Sequence, residues 1–192
     1  MDNVDREKWE QGQIQEKAYH TFGLLDGYEH HRRFYEGYFQ YLQIDKNIND
    51  RKILEIGPAN FPLLGYCMGT KNCTVIEPME SDFLKFICEL KEITIIQEIA
   101  EESFMPESDE IWLCNVLQHV INPDVIINRC KEHAQIIRFF EPINTALDVM
   151  HHWSFGIDYF KEHFGEAKLY PRNMDEPYFH KWENAYGIYI KK

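Results

Sequence analysis

Two glutamates and a glycine, placed along two apolar segments, are the residues of this sequence best suited to bind a ligand. The apolar run 53–56 contains Glu55 and stops at Gly57, and a second apolar run, 73–76, stops at Glu77. A glycine directly after a buried strand lets the backbone turn tightly or approach a ligand closely. An acid that follows it by about twenty residues, at the end of the next strand, can accept hydrogen bonds from both hydroxyls of a ribose. The spacing is therefore typical of the front half of a nucleotide-binding α/β domain.

Histidines offer a second kind of chemistry, because imidazole has an ordinary pKa close to neutrality. They occur singly at His119 and as adjacent pairs at His30-His31 and His151-His152. A histidine in reach of a hydroxyl or amine can remove its proton, which typically contributes roughly 10²–10⁴-fold to a rate. Adjacent residues point in different directions and no carboxylates follow at ligand spacing, so we predict no metal site.

Strands that end in such loops must be joined by helices that cover both faces of one sheet. We predict an α/β fold: a Rossmann-like, mostly parallel seven-stranded sheet with helices on both faces, an antiparallel C-terminal strand and an N-terminal helical extension. Two helices are predicted ahead of the sheet, over 4–20 and 28–42, and the aromatic stripe of the second indicates core packing or, alternatively, a lid that contacts substrate. Further helices are predicted at 61–68, from Ser81, from Asn122-Pro123 and from Ser154 to Gly165, and strands at 53–56, 73–76, 93–96, 110–114, 136–140, 167–170 and 185–190.

Composition and charge limit the class of protein. Hydrophobic residues make up 44% of the 192 residues and aromatic residues 15%, which indicates a globular protein, and the length favours one domain over 1–192. The order of the predicted elements divides this domain into an N-terminal helical cap at 1–46 and a core at 51–192. The net charge of −12 disfavours nonspecific binding to nucleic acid or to an anionic membrane. No apolar run approaches the roughly 20 residues that span a bilayer and no signal peptide is recognisable, so we expect a cytoplasmic protein. The five cysteines contain no C-x-x-C pair, which predicts reduced thiols.

These residues together resemble the class I S-adenosylmethionine-dependent methyltransferases. The resemblance rests on Glu55-x-Gly57, on Glu77, and on the segments 109–119 and 136–144, and it extends from Arg51 to the C-terminus. It implies S-adenosylmethionine as cofactor, S-adenosylhomocysteine as product, and helices ahead of the first strand that close over the cofactor. The family usually repeats glycine twice more in the first turn. This chain has Ala59 and Phe61 at those positions, and we expect Phe61 to narrow the turn.

The resemblance also implies which residues form the site. Glu55 is expected either to help hold the cationic amino end of the cofactor or to be a buried acid that accepts backbone N–H groups, and the sequence does not decide between the two. As general base we predict His151 or His152, neither preferred, at the rim beyond 141–144. The acceptor pocket is predicted to contain Tyr19, His30, His31 and Trp153, for which simple packing is the alternative. The predicted cofactor-binding residues are Glu55, Gly57, Pro58, Ala59, Glu77, Pro78, Met79, Ala100, Glu101, Asn115, Val116 and His119.

The function predicted from this resemblance is transfer of a methyl group to an oxygen or nitrogen of a small polar molecule. Two alternatives stay open: a methyltransferase with a protein or RNA acceptor, and a binding protein that has the scaffold without turnover. A dinucleotide-dependent dehydrogenase is less favoured, because its glycine-rich frame would become Gly57-x-Ala59-x-x-Pro62.

Overall fold

A seven-stranded mixed sheet organises the protein. The structure, a computed structural model, describes residues 3–22, 35–170 and 183–192, without the side chains of 20–22. The strands lie in the order β3-β2-β1-β4-β5-β7-β6; the first five are parallel, and β7 pairs antiparallel with both β5 and β6. The predicted fold class is therefore confirmed. The strands are β1 (Ile53–Ile56), β2 (Thr74–Ile76), β3 (Thr94–Ile96), β4 (Ser108–Cys114), β5 (Ala134–Ile143), β6 (Lys168–Tyr170) and β7 (Glu183–Ile190).

Five helices in the described residues accompany the sheet. Two of them begin as the sequence predicted: Ser81 and Asn122 each accept a hydrogen bond from the backbone N–H three residues on, as N-cap side chains do. Gly165, with φ of +80°, ends the last helix. No helix in the described ranges is both long and apolar enough to cross a membrane. The helices are α1 (Arg6–Phe22), α2 (35–41), α3 (Asp82–Leu90), α4 (Pro123–His133) and α5 (Ile157–Phe164).

Two hydrophobic cores lie on opposite faces of the sheet, because successive strand residues point to opposite sides. In β4, Ile111 and Leu113 belong to one core while Trp112 belongs to the other. The first core is completed by α4 and α5, and the second by α2, α3 and the loop after β1. The aromatic stripe predicted for the second helix is buried where it is described, at Tyr35, Tyr38 and Phe39; its earlier part lies outside the described residues.

Three local predictions were wrong in detail. The crossover helix expected over 61–68 is a single 3-10 turn, Leu63–Tyr66, because Pro62 is held in an extended conformation immediately before it. The last helix begins at Ile157 with Gly156 as N-cap, so Ser154 does not cap it. The strand predicted at 136–140 extends over 134–143, since β4 pairs with it from Ala134 and β7 pairs with it as far as Ile143.

Candidate functional site

A cleft opens at the carboxyl ends of β1, β2 and β4. Sheet order reverses between β1 and β4, and crevices at such switch points are where open α/β sheets bind ligands. All the predicted cofactor-binding residues line this cleft except Glu55 and Pro58. The lining residues are Trp9, Gln13, Glu16, Ile56, Gly57, Ala59, Ile76, Glu77, Pro78, Met79, Ile99, Ala100, Glu101, Asn115, Val116, His119 and Val120.

The turn after β1 requires glycine at its first position. Gly57 has φ of +67°, and its N–H donates to the carbonyl of Ile76 at 2.9 Å, which holds the turn against the end of β2. A Cβ at this position would lie well inside the van der Waals distance of Cγ2 of Val116. Ala59 also has a positive φ, +53°, so the turn curls back within three residues toward β2.

Glu77 joins this turn to the end of β2. Its buried carboxylate accepts one hydrogen bond from the N–H of Ala59 and one from the N–H of Met79, both at 2.8 Å. Burial raises the pKa of Glu77 to about 7, and the nearby carboxylate of Glu16 contributes to the increase. An ionised carboxylate has about four acceptor sites, so two lone pairs can still accept ribose hydroxyls from the cleft. The side chain thus lies at the end of β2 and lines the cleft.

Two further buried carboxylates support the loops from behind. Glu55 accepts the N–H groups of Leu63 and Leu64 at 2.7 and 3.0 Å, which is the second of the two roles that the sequence left open. Glu141, fully buried in β5, accepts the N–H groups of Val116 and Leu117 at 3.1 Å. Glu141 had no role predicted from the sequence; its one signal was an acid among the mainly apolar residues 136–143.

The loops on the other side of the cleft are fixed in the same way. One carboxylate oxygen of Glu101 accepts the N–H groups of Ile121 and Asn122 at 2.8 and 3.0 Å. Asn115, with φ of +58°, accepts a hydrogen bond from the side-chain amide of Gln118 at 3.1 Å. Carboxylates and a side-chain amide therefore fix the loops on both sides of the cleft.

Phe61 does not narrow the cleft. Its ring is buried 4.6 Å from the ring of Phe83, in the core on the α3 side of the sheet, and it is not among the lining residues. The hydroxyl of Tyr35 donates to its carbonyl. The expected obstruction is absent because the chain turns at Pro58 and Ala59 before it reaches Phe61, which directs the ring away from the ligand side.

Helix α1 covers the cleft, a contribution that the sequence did not assign to particular residues. Trp9, Gln13 and Glu16 line the cleft at helical spacing, and the indole N–H of Trp9 donates to the carbonyl of His119 at 2.8 Å. The backbone N–H of Val4 donates to the carbonyl of Ile121 at 3.1 Å. These contacts place one face of α1 directly over the space where a ligand would lie.

The histidines at the rim occupy different environments. His119 lines the cleft, and its ring lies 4.9 Å from the ring of His151, whose Nδ1 is 2.9 Å from Oδ2 of Asp148. His152 is buried against Gly12 of α1, and neither of its ring nitrogens has a hydrogen-bond partner among the described residues. Burial lowers the pKa of His152. Geometry therefore separates the two predicted bases: His151 adjoins a cleft residue and is oriented by a carboxylate, whereas His152 packs beneath the helix.

Of the residues predicted for the acceptor pocket, the two that the structure describes, Tyr19 and Trp153, do not line the cleft. Tyr19 is 68% exposed, because it lies beyond the part of α1 that covers the cleft. Trp153 is half-buried against the core, and its indole N–H donates to the carbonyl of Val120 at 2.8 Å. His30 and His31 lie outside the described residues. Within the described ranges, no group of three or more His, Cys, Asp or Glu side chains could hold a metal ion.

The buried carboxyls predict how stability depends on pH. Burial raises the pKa of Glu55 and Glu77 to about 7 and that of Glu141 to about 8, above the ordinary value of 4.5. Between the ordinary pKa of 4.5 and these raised pKa values, the folded chain binds more protons than the unfolded chain. The contribution of the three carboxyls to the free energy of unfolding is therefore complete at low pH and is lost as pH rises through 7 to 8. We expect the free energy of unfolding to fall from pH 5.5 to 8.5, by at most about 1.4 kcal/mol per pH unit for each carboxyl. Urea unfolding across this range measures it, and stability that increases with pH would contradict the assignment.

Comparison with solved structures identifies the fold. The chain superposes on the N-methyltransferase NodS of Bradyrhizobium japonicum WM9, in complex with S-adenosyl-L-homocysteine, with a TM-score of 0.59 and 14% identity over 81% of this chain and 86% of that one. Superposition on magnesium protoporphyrin IX methyltransferase of Synechocystis PCC 6803, with bound S-adenosylmethionine, gives a TM-score of 0.58 and 11% identity, over 85% of this chain and 80% of that one. Superposition on the [4+2]-cyclase SpnF gives a TM-score of 0.56 and 10% identity, over 72% of this chain and 58% of that one. No protein-family profile and no curated protein sequence matches the chain.

The chain therefore has the fold of these methyltransferases, and the fold that the resemblance implied is confirmed. The chain spans little more than half the length of several matched structures, as it does for SpnF. Because SpnF is a cyclase, the shared fold leaves the reaction to be argued from the site.

Proposed function

We propose that this protein is an S-adenosylmethionine-dependent methyltransferase that acts on an oxygen or nitrogen of a small polar acceptor. The observation that carries the proposal is the direct link between the Gly57 turn and the carboxylate of Glu77 through the N–H of Ala59. This link fixes an acid with unused lone pairs beside a close backbone turn, at the switch point of the sheet.

The residues of the cleft fit the cofactor that the resemblance implies. Glu77 would accept the ribose hydroxyls, and Met79 with Ala100 would lie along the adenine ring as apolar neighbours. The backbone of the Gly57 turn and the loop at Asn115 would hold the methionine end. Phe61 leaves this space clear, which removes the main argument from sequence for a scaffold that cannot bind.

The cofactor, once bound, supplies an already reactive methyl group, so the protein has mainly to position the acceptor and exclude water. Alignment of this kind contributes about 7–11 kcal/mol in favourable cases. Helix α1 excludes water by covering the cleft with Trp9 and its neighbours. His151, oriented by Asp148 and adjoining His119, is the better placed of the two predicted histidines to take a proton from the acceptor.

A small acceptor is favoured because α1 lines the cleft with Trp9, Gln13 and Glu16, and His119 and His151 lie together at its rim. A large RNA acceptor would also be opposed by the net charge of −12. A cytoplasmic location belongs to the same proposal.

Replacing Glu77 with alanine should weaken S-adenosylmethionine binding about thirtyfold, because a hydrogen bond to a charged group contributes about 2 kcal/mol. Glu80→Ala is the matched control: Glu80 is close in sequence but exposed, with its carboxylate paired to Lys85. Isothermal calorimetry of the two variants and the wild type measures the effect. Equal affinities for all three would refute the role of Glu77.

Turnover is tested by incubating the protein with S-adenosylmethionine and a panel of small amines, hydroxyl compounds, peptides and RNA oligonucleotides. We expect S-adenosylhomocysteine to accumulate with a small acceptor, and to accumulate far more slowly with Glu77→Ala. Cofactor binding without product from any acceptor would instead favour a scaffold without methyl transfer. Product from peptides or RNA alone would overturn the small-acceptor assignment.

A further inference from the structure

Glu16 is the one carboxylate that α1 presents to the cleft, and its environment differs from that of the other acids there. Glu77 and Glu101 each accept two backbone N–H groups, as described above. Glu16 instead contacts side chains: Oε2 lies 3.5 Å from Nε2 of Gln13 and 3.4 Å from Nδ1 of His119. Its side chain is only 17% exposed, so the charge is held inside the cleft instead of being directed to solvent.

The position of Glu16 can be fixed relative to the two ends of the cleft. It contacts His119, which follows the Asn115 loop at the end of β4. It is also close enough to Glu77, at the end of β2, to contribute to the raised pKa of that carboxyl. Glu16 thus lines the cleft in contact with the residue that follows the Asn115 loop, and its charge acts on the proposed ribose acceptor Glu77. In a bound adenosylmethionine, the sulfur connects the ribose to the methionine end.

We propose that Glu16 recognises the positive charge of the sulfonium group and thereby makes the cleft prefer S-adenosylmethionine over S-adenosylhomocysteine. The inference rests on the proposed function. The two ligands share the adenosine, the ammonium and the carboxylate, and they differ at sulfur, which is cationic in one and neutral in the other. A partly buried carboxylate near that atom acts on the difference, because Coulomb attraction is much stronger in a covered cleft than in water.

The consequence for turnover follows from the electron balance of the transfer. The lone pair of the acceptor forms the new bond to the methyl carbon, the electrons of the carbon–sulfur bond stay on sulfur, and the acceptor proton passes to a base. Sulfur becomes a neutral thioether, so Glu16 loses the cation that it had attracted. The product is then bound less tightly than the substrate, which favours its release and limits product inhibition.

The test compares two dissociation constants, for S-adenosylmethionine and S-adenosylhomocysteine, in the wild type and in Glu16→Gln. We expect the ratio of the two constants to change by about tenfold, mainly through weaker binding of S-adenosylmethionine; tenfold corresponds to about 1.4 kcal/mol. Glu10→Gln is the matched control, because Glu10 is on the same helix with its side chain 59% exposed and paired to Arg6. Glu16→Asp retains the charge and should retain most of the preference.

The outcomes are distinguishable. If Glu16→Gln weakens both ligands by the same factor, Glu16 only supports the packing of α1, and the proposal is wrong. If the ratio is unchanged in Glu16→Gln or changes equally in Glu10→Gln, the proposal is also wrong, while the proposed function stands. If the wild-type protein binds neither ligand, the proposed function fails and this inference fails with it. Thermal unfolding shows whether each variant is folded. If Glu16→Gln is not folded, the two dissociation constants of Glu16→Asp are compared with those of the wild type.

Discussion

Replacing Gly57 with alanine should destabilise the protein by roughly 2–5 kcal/mol and abolish measurable cofactor binding. A left-handed conformation costs an L-residue roughly 1–2 kcal/mol, and Gly57 has φ of +67°. The added Cβ would also collide with Val116, and overpacking of this kind typically costs about 1–3 kcal/mol more. Because Val116 starts the loop on the opposite side of the cleft, relief of the collision would displace both walls of the site.

The matched control for this prediction is Gly165→Ala. Gly165 also has a positive φ, +80°, but an added Cβ would meet no atom within 4 Å. It should therefore lose only the conformational part, roughly 1–2 kcal/mol, and leave the cleft intact. Urea unfolding and calorimetry on both variants separate the two contributions. If Gly57→Ala were no more damaging than Gly165→Ala, the tight contact between the first turn and Val116 would be refuted.

Replacing Glu141 with alanine should cost roughly 2–4 kcal/mol of stability. The substitution leaves the N–H groups of Val116 and Leu117 without their acceptor in the core, and each unsatisfied buried donor costs about 1–3 kcal/mol. Loss of a carboxyl that is itself costly to bury offsets part of this. The expected local result is faster amide hydrogen exchange at Val116 and Leu117, since nothing else described accepts from these two donors.

Two variants control this second prediction. Glu141→Gln keeps an acceptor oxygen of nearly the same shape and cannot ionise, so it should lose less stability than Glu141→Ala and should flatten the fall of stability between pH 7 and 8. Glu132→Ala, at an exposed position at the end of α4, should change stability by no more than about 0.5 kcal/mol. Slow exchange at Val116 and Leu117 in Glu141→Ala would show that the carboxylate does not hold this loop.

The main elements of the fold and one side of the site could be predicted because their signals are local in the sequence. Gly57 and Glu77 stand at the ends of apolar runs, and such runs become adjacent buried strands in a parallel sheet. The same reasoning placed Asn115 and Glu101 at the same edge of the sheet. What brings these residues together is strand order, and the right-handed connection rule restricts that order to few possibilities.

The position of α1 over the cleft and the contacts of Glu55 and Glu141 with its loops could not be predicted, because their signals are not local in the sequence. Trp9, Gln13 and Glu16 belong to a mainly polar helix, and its periodicity does not show that one face of the helix lines a cleft. The roles of Glu55 and Glu141 depend on loops that follow other strands or lie far along the chain. Sequence spacing likewise could not separate His151 from His152, because the distinction arises from packing against α1.

The central claim is that this cleft binds the adenosyl group of S-adenosylmethionine, with the ribose at Glu77. Calorimetric titration of S-adenosylmethionine into the wild-type protein tests it most directly. We predict a saturable one-to-one isotherm with a Kd below about 1 mM, within the range of ordinary substrate affinities. No binding of S-adenosylmethionine at millimolar concentration would contradict the claim.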